Sequence, residues 1–457
     1  MAEKPKGRLW EMMEDYAVGT PPASYRSTPE VYFTVNGISN CLYYYAIGSI
    51  GFALAGFMMG WVATLIAGVV IATFGWWMAR FQWRSGYTYE FQSRFFGWGH
   101  WGSVIPALAC ALLLWSFYVM EMYWMGAAFA YIWKVNIWSI YVPLAVVIGL
   151  LVVFGHKVIG WWSYAAIPIG VGAAIYIIVK LYLSPEFSWA DTYAFAAKPI
   201  IPGGFAGALG FAMMAVGLVI GPTFGNYGRF TKTPTQASWL GPTYLIIAHI
   251  AMPLIGFLLT FPLIITLTPV VGAEQAGMMA FETSVPFVVA FGALGIIVVL
   301  GWQMNVQYVN VHLPSLSLAA IYQAATGRSV PRWVWVIVCS IIPMLMLWGG
   351  LFGIMVEWAT WTGAALLGTV VIFPADYLWR RWNGYPTEFA FKEIRGVNPV
   401  AIVTYFVGFA IGIVLWKFPQ PAGIAPIPSI IGPAATFLLY WLGCWITKGK
   451  YQKPVGA

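Results

Sequence analysis

The chain has 457 residues, of which 61% are hydrophobic and only 8% are charged, and its formal net charge is +8. A soluble protein would carry roughly 25% charged residues, so this composition excludes a water-soluble globular protein. The positive charge does not indicate nucleic-acid binding, because membrane proteins collect basic residues in their cytoplasmic loops. The sequence therefore predicts an all-α protein that crosses the membrane many times.

The chain begins with a polar segment, residues 1–30, that lacks the apolar core of a cleavable signal peptide, so we expect the first span to direct insertion. Apolar runs long enough to cross a hydrocarbon core of roughly 30 Å then recur to the end of the sequence. We predict about twelve spans, at roughly 31–58, 61–79, 102–133, 138–155, 159–183, 204–227, 240–268, 286–311, 333–354, 356–378, 399–416 and 429–447. No connection between them is long enough to fold as a soluble domain.

The basic residues divide unequally between the two sides of the membrane. One side receives the N-terminal segment and most of the basic connections, whereas the other receives only Lys134, Lys180, Lys198 and Lys417. Because Lys and Arg favour cytoplasmic loops, both termini are predicted to lie in the cytoplasm. The protein is then a multi-pass protein of the cell membrane, with residues 448–457 as a cytoplasmic tail.

The first span carries polar residues in its first half, with Asn36 and Asn40 on either side of Gly37. Asn-Gly is a turn signal, and inside a membrane helix it predicts a local break. Broken helices expose backbone carbonyls and helix ends that hold ions and solutes in secondary transporters. The alternative is a close helix contact, which small and polar residues also favour.

The third span contains a carboxylate, Glu121, in an otherwise apolar and aromatic run. An ionisable residue at that depth is costly and indicates function. It could carry a coupling proton or pair with a cationic group. The alternative is a structural hydrogen bond to a neighbouring helix.

The sixth span is rich in Gly and Pro in its later part, from Gly221-Pro222 to Arg229. This density predicts a second broken helix. Spans 1 and 6 would then be equivalent members of two five-helix halves, as expected of an inverted repeat.

The eighth span carries four side-chain amides and a histidine within ten residues. At about 100° per residue, Gln303, Gln307 and Asn310 share one helix face, and Asn305 and His312 lie roughly opposite. Unpaired polar groups are costly in hydrocarbon, so this helix is predicted to line a solute pathway. We expect Asn305 and His312 to bond neighbouring helices or to reach the cytoplasmic mouth.

No enzyme motif, metal-ligand cluster or nucleotide-binding loop stands out. The four cysteines lack metal-ligand spacing, and His249 in the seventh span is interpreted as a packed, hydrogen-bonded histidine. The sequence therefore predicts no catalytic residue, no metal and no cofactor.

Five short segments along the chain carry a resemblance to a known family through their residues and their order. They are Gly155-His156-Lys157-Val158-Ile159-Gly160-Trp161; Asn226-Tyr227-Gly228-Arg229-Phe230; Trp302, Asn305, Asn310 and Pro314; Val330-Pro331-Arg332; and Pro374-Ala375-Asp376-Tyr377 with Arg380-Arg381. As an ordered set they resemble the nucleobase–cation symporter-1 family, the purine, pyrimidine, allantoin and hydantoin permeases.

The resemblance implies a LeuT-type fold. A ten-helix core, residues 31–398, would hold two inverted repeats at about 31–183 and 204–378, and helices 11 and 12 would follow in 399–447. The resemblance also implies alternating access around a solute site between helices 1, 3, 6 and 8. Its solute-facing positions are Asn40, Tyr118, Met122, Asn310 and one of Gly217 or Leu218, and the polar pattern adds Asn36, Glu121 and Gln307.

The coupling ion is where the sequence departs from the family. Sodium-coupled members place small and hydroxyl residues in helix 8, where this chain has Leu300, Gln303 and Met304. Alkyl and thioether groups are poor ligands for a hard cation, so proton coupling is favoured over sodium. The candidate ion-coupling residues are Ser39, Glu121 and Gln303.

The sequence thus predicts a secondary active importer of a small nitrogen-containing heterocycle, such as a nucleobase, allantoin or a hydantoin. It leaves open a LeuT-type transporter of an amino acid or amine, sodium-coupled symport, and uncoupled facilitation. A membrane enzyme would need a second acid or base near Glu121, for which only His249 and Glu357 are available. A receptor would need a signalling domain.

Overall fold

The protein is all-helical in the part that the structure, a computed structural model, describes. That part comprises residues 20–21, 23, 26–185, 188–277, 284–385, 387, 396–417 and 428–452. Most of the predicted N-terminal segment 1–30, and residues 453–457 of the predicted tail, lie outside the described residues.

The described residues form twelve spans in chain order. They are α1a Thr28–Ser39 and α1b Leu42–Ala55, α2 Phe57–Ser85, α3 Val104–Trp133, α4 Trp138–Val152, α5 His156–Tyr182, α6a Gly204–Met213 and α6b Val216–Leu218 with its extension to Gly228, α7 Pro234–Ile246 with its extension to Val271, α8 Val285–Thr326, α9 Arg332–Trp348, α10 Met355–Trp382, α11 Pro399–Lys417 and α12 Pro428–Ile446. Short helices Tyr89–Gln92 and Trp189–Ala196 lie in two of the connections.

The helices are those of a multi-pass membrane protein. Within the described residues, eight are long and apolar enough to cross a bilayer, and four shorter apolar helices complete the twelve predicted spans. The predicted end of the eighth span at residue 311 is wrong, because α8, which is kinked at the non-helical Gly292, continues through Pro314 to Thr326. The hydroxyl of Ser315, the first residue after this proline, donates back to the His312 carbonyl, so its polarity does not end the helix.

The first helix is broken as the sequence predicts, but just after the Asn36-Gly37 pair, which itself stays helical. α1a ends at Ser39, and Cys41 is fully extended, with φ −132° and ψ 167°, before α1b begins at Leu42. Asn40 stays attached to α1a, since its N–H donates to the Gly37 carbonyl at 3.2 Å.

The break in the sixth helix lies earlier than predicted. α6a and α6b are separated at Met214 and Ala215, whereas Gly221-Pro222 lies inside a π-helical turn, Val219–Thr223. A π turn absorbs the hydrogen bond that proline cannot make, so the helix continues. The break itself lies against α10, where an added Cβ on Gly363 would come within 2.6 Å of the Met214 carbonyl.

α8 lies at the centre of the helix bundle. It packs most extensively against α3 and next against α5, and it also touches α1a and α4. Its amides and histidine at positions 303, 305, 307, 310 and 312 are all fully buried. The fold therefore brings the polar face of α8 against α3 and against the break in α1.

Candidate functional site

The break in α1 is stabilised by a side chain from α8. A helix start leaves backbone N–H groups without partners, and here the Leu42 N–H donates to Oε1 of Gln303 at 2.9 Å. At the other end of the break, the Ser39 hydroxyl donates to the Asn36 carbonyl at 2.8 Å. Gln303 thus caps α1b from a neighbouring helix.

Glu121 of α3 lies beside this cap and is fully buried. Neither carboxylate oxygen has a hydrogen-bond partner among the described residues. The Gln303 side chain contributes a favourable interaction without reaching a close hydrogen bond, and the Cys41 thiol is near enough to interact electrostatically. A buried carboxylate therefore faces the start of α1b without a basic partner.

A second set of amides links α8 to α3 one turn further along. Nε2 of Gln307 donates to the Tyr118 carbonyl at 3.0 Å, and Nδ2 of Asn310 donates to Oε1 of Gln307 at 3.2 Å. Oδ1 of Asn310 and the Tyr118 hydroxyl are left without partners and are buried. Polar atoms that lack partners in a membrane interior indicate a place where a solute binds.

The structure does not bring every predicted residue to this place. Gly217 of α6b faces α10, since an added Cβ would lie 2.6 Å from the Leu367 backbone nitrogen. Met122 and Leu218 are buried among apolar residues. Asn36 and Asn40 belong to the break itself, and each has an Oδ1 atom without a partner.

The opposite face of α8 bonds neighbouring helices, as expected. Oδ1 of Asn305 accepts from the Ser163 hydroxyl of α5 at 3.0 Å. Nδ1 of His312 pairs with the Tyr227 hydroxyl at 3.0 Å, and the two rings stack. His249 is also hydrogen-bonded as expected, with its Nδ1 3.1 Å from the Thr64 hydroxyl.

A second polar centre, which the sequence analysis missed, lies where the α2–α3 connection meets α6 and α8. Glu90 of the short helix Tyr89–Gln92 is fully buried. It accepts from the Ser317 hydroxyl at 2.9 Å and from Nδ2 of Asn226 at 3.2 and 3.3 Å. Arg229 adds a favourable charge interaction. We call Glu90, Asn226, Arg229 and Ser317 the Glu90 cluster.

Burial raises the pKa of Glu90 above its ordinary value, and these bonds and the Arg229 charge oppose that rise. Glu90 stands in a polar connection with no apolar run, so nothing in the sequence signalled its burial. Asn226 and Arg229 were signalled only as part of the resemblance.

Other segments that carry the resemblance lie near the same end of the bundle. Nη2 of Arg332 donates to the carbonyls of Val152 and Val153 at 2.9 and 3.0 Å. The His156 ring stacks on Phe230 at 4.1 Å. These contacts connect α9, the α4–α5 connection and the end of α6.

The segment at the end of α10 forms a buried ion pair. Nε of Arg380 donates to Oδ2 of Asp376 at 2.7 Å, and the Tyr440 hydroxyl of α12 donates to Oδ1 at 2.7 Å. Asn398, which precedes α11, donates to the Gly97 carbonyl at 2.6 Å. The ion pair and this bond attach α10, α11 and α12 to the connection that carries Glu90.

No protein-family model and no curated protein matches the chain. Solved structures match along nearly its whole length. Mhp1, described as a nucleobase-cation-symport-1 family transporter in a closed conformation with bromovinylhydantoin bound, gives a TM-score of 0.71 at 16% identity, over 97% of this chain and 98% of that one. The inward facing conformation of Mhp1 gives 0.65 at 17% identity, over 95% and 94%.

Two other transporters extend the comparison. A substrate-bound, outward-open Na⁺-coupled sialic acid symporter gives a TM-score of 0.67 at 12% identity, over 93% of this chain and 90% of that one. A manganese transporter of Eremococcus coleocola gives 0.58 at 12% identity, over 96% and 99%. Likeness at such low identity shows the fold and not the solute. The chain is an all-α membrane protein with the LeuT-type fold of these transporters.

Proposed function

We propose that the protein is a secondary active importer of a small nitrogen-containing heterocycle, of the nucleobase–cation symporter-1 type, working by alternating access in the cell membrane. The observation that carries this proposal is the fully buried, unpartnered Glu121 facing the break in α1. An uncompensated charge there is costly, so the carboxylate must take up a proton or a cationic partner. Uptake of such a partner together with a solute is symport.

The solute would bind along α3 and α8. Oδ1 of Asn310 and the Tyr118 hydroxyl are buried without partners, and the Tyr118 ring is a flat apolar face. A heterocycle can stack on such a ring while its polar edge bonds the amide. Asn36, Asn40, Met122, Leu218 and Gln307 remain candidate contacts, and Gly217 is a candidate through its backbone alone.

Proton coupling is favoured over sodium coupling. Oε1 of Gln303 already accepts the Leu42 N–H, and its neighbours Leu300 and Met304 offer no side-chain oxygen. Sodium would find oxygen ligands there on Glu121, on Oδ1 of Asn36 and Asn40 and on the backbone near Ser39, but none on the α8 side chains where sodium-coupled members place theirs. Glu121 can hold a proton, so we assign the coupling role to Glu121, with Gln303 positioning it.

The Glu90 cluster would close the cytoplasmic end of the pathway, with both termini in the cytoplasm as the basic residues predict. Its side chains join the α2–α3 connection to α6 and α8, and all four are fully buried. The likeness to Mhp1 is also greater for its closed conformation, at a TM-score of 0.71, than for its inward facing one, at 0.65. Opening to the cytoplasm would require these contacts to separate.

Uptake into proteoliposomes tests the proposal. Labelled cytosine, uracil, adenine, hypoxanthine, allantoin and hydantoin are offered under a proton gradient, a sodium gradient and neither. We expect accumulation of at least one compound under the proton gradient, and its loss in Glu121→Gln and Asn310→Ala. Asn383→Ala, the same change at an exposed residue, should transport normally. No accumulation of any compound under either gradient contradicts the proposal, and a strict sodium requirement contradicts the coupling assignment.

A further inference from the structure

We infer that the site selects heterocycles in which a basic ring nitrogen lies beside an exocyclic amino group, over the corresponding oxo compounds. This inference rests on the proposed function and names the solute class for that site. Hydrogen bonds to the backbone fix the orientation of the buried amides. The inference follows from the polar atoms that then remain without a hydrogen-bond partner.

The orientation of Gln307 is fixed by the backbone of α3. The Tyr118 carbonyl can only accept, so the atom of Gln307 that contacts it at 3.0 Å must be the amide nitrogen. Oε1 of Gln307 then faces Asn310, which must donate through Nδ2 across 3.2 Å. Oδ1 of Asn310 is therefore the buried atom without a partner, and it is an acceptor.

The orientation of Gln303 is fixed by the backbone of α1b. The Leu42 N–H can only donate, so the atom of Gln303 at 2.9 Å must be Oε1. Nε2 of Gln303 is left on the side of Glu121, with which the side chain interacts favourably. The amide therefore positions the carboxylate and offers the solute no further acceptor.

The atoms left over are mainly acceptors. Among the described residues they include both oxygens of Glu121 and Oδ1 of Asn310, with the Tyr118 hydroxyl able to donate or accept and Nε2 of Gln303 as a donor on the side of Glu121. No Lys or Arg side chain hydrogen-bonds either oxygen of Glu121. A solute that donates hydrogen bonds satisfies these atoms, whereas an acceptor placed against them leaves two lone pairs facing each other.

The carboxyl of Glu121 and an amino-substituted edge form a matched pair. The amino N–H donates to one carboxyl oxygen, and a single proton lies between the ring nitrogen and the other oxygen. This proton can be the coupled one, and the pair is then charge-assisted and stronger than a neutral pair. An oxo edge presents a weakly basic carbonyl oxygen that cannot hold the proton. Its hydrogen bonds with the Glu121 carboxyl are therefore neutral and weaker than the charge-assisted ones.

Two matched pairs of probes test the inference: cytosine against uracil, and adenine against hypoxanthine. Affinities are measured by thermal shift and by competition on the purified full chain. We expect the amino member of each pair to bind at least roughly tenfold more tightly, the ratio expected from one well-made buried hydrogen bond. In Glu121→Gln the ratio should fall to about threefold or less, because the pair becomes neutral. Glu357→Gln, the same change at an exposed carboxylate, should keep the full ratio.

If the unaltered protein binds the two members of each pair equally, or binds the oxo members more tightly, the inference is overturned, whatever the variants show. Failure of all four probes while hydantoin or allantoin is still taken up also overturns it, and the proposed function then stands. Failure of every heterocycle overturns both. A ratio that survives unchanged in Glu121→Gln overturns the assignment of this selectivity to Glu121.

Discussion

The Ser317→Ala variant should open the cytoplasmic end of the pathway without loosening the rest of the fold. The substitution removes one hydroxyl, whose 2.9 Å bond is the shortest that Glu90 accepts from a side chain, and it leaves Asn226 in place. A hydrogen bond to a charged group contributes about 1.5–3 kcal/mol, and water replaces part of it when the cluster opens. Taking about 1.5 kcal/mol, the ratio of open to closed molecules should rise roughly tenfold.

The chain carries its own reporter for this change. Cys110 of α3 is fully buried beside Ser317 and Glu90, whereas Cys444 of α12 is equally buried in a separate core cluster. Alkylation by N-ethylmaleimide, followed site by site with mass spectrometry and normalised to the denatured chain, reports access to each thiol. We expect the Cys110 rate to rise roughly tenfold in Ser317→Ala, since access follows the open population, with Cys444 unchanged.

The matched control is Ser340→Ala, which removes a serine hydroxyl that donates to the Val336 carbonyl of its own helix. It should leave the Cys110 rate as in the unaltered chain. A Cys110 rate that does not change in Ser317→Ala would refute the assignment of this cluster as a gate. A parallel rise at Cys444 would refute it too, because the variant would then have loosened the whole bundle.

Two further predictions concern stability. Because burial raises the pKa of Glu90, the protonated side chain stabilises the folded state fully below the ordinary carboxyl pKa, and this stabilisation is lost as pH rises through the raised pKa. The melting temperature of the unaltered protein should therefore fall relative to that of Glu90→Gln across this pH range. Parallel curves of melting temperature against pH for the two proteins would contradict this. Gly217→Ala should destabilise the fold by about 1–3 kcal/mol, because its methyl group would lie 2.6 Å from the Leu367 backbone nitrogen. Gly172→Ala, where an added Cβ meets nothing within 4 Å, is the control, and equal melting temperatures for the two variants would contradict the close contact.

The spans and the first helix break could be predicted because local sequence determines them. Length and apolarity define a membrane helix, and the polar Asn36-Gly37 and Asn40 predict a break close to the observed one, although Asn36 and Gly37 themselves form part of the last turn of α1a. The break in the sixth helix could not be placed, since Met214 and Ala215 carry no turn signal and contact with α10 accompanies the bend. The end of α8 was missed for a related reason: Pro314 and the serines after it resemble a helix end until neighbouring helices bury them.

Individual residues of the candidate site could be predicted from the sequence, but the hydrogen bonds between them could not. The polar face of α8 follows from helical periodicity, and it is the face that reaches α1b and α3. The orientation of each amide depends on backbone atoms of other helices, which no local pattern reveals. Glu90 was missed because its burial depends on three segments far apart in the chain.

The segments that resemble a known family are mostly not the ones that would touch the solute. Asn226 and Arg229 bond at the Glu90 cluster, Arg332 joins α9 to the α4–α5 connection, and Asp376 with Arg380 anchors α12. If the Glu90 cluster is the gate, these segments report on how the transporter opens and closes rather than on the solute it transports. Proteins that share these segments can therefore share a gating cycle and transport different solutes. A substrate inferred from these segments alone would rest mostly on residues that do not contact it.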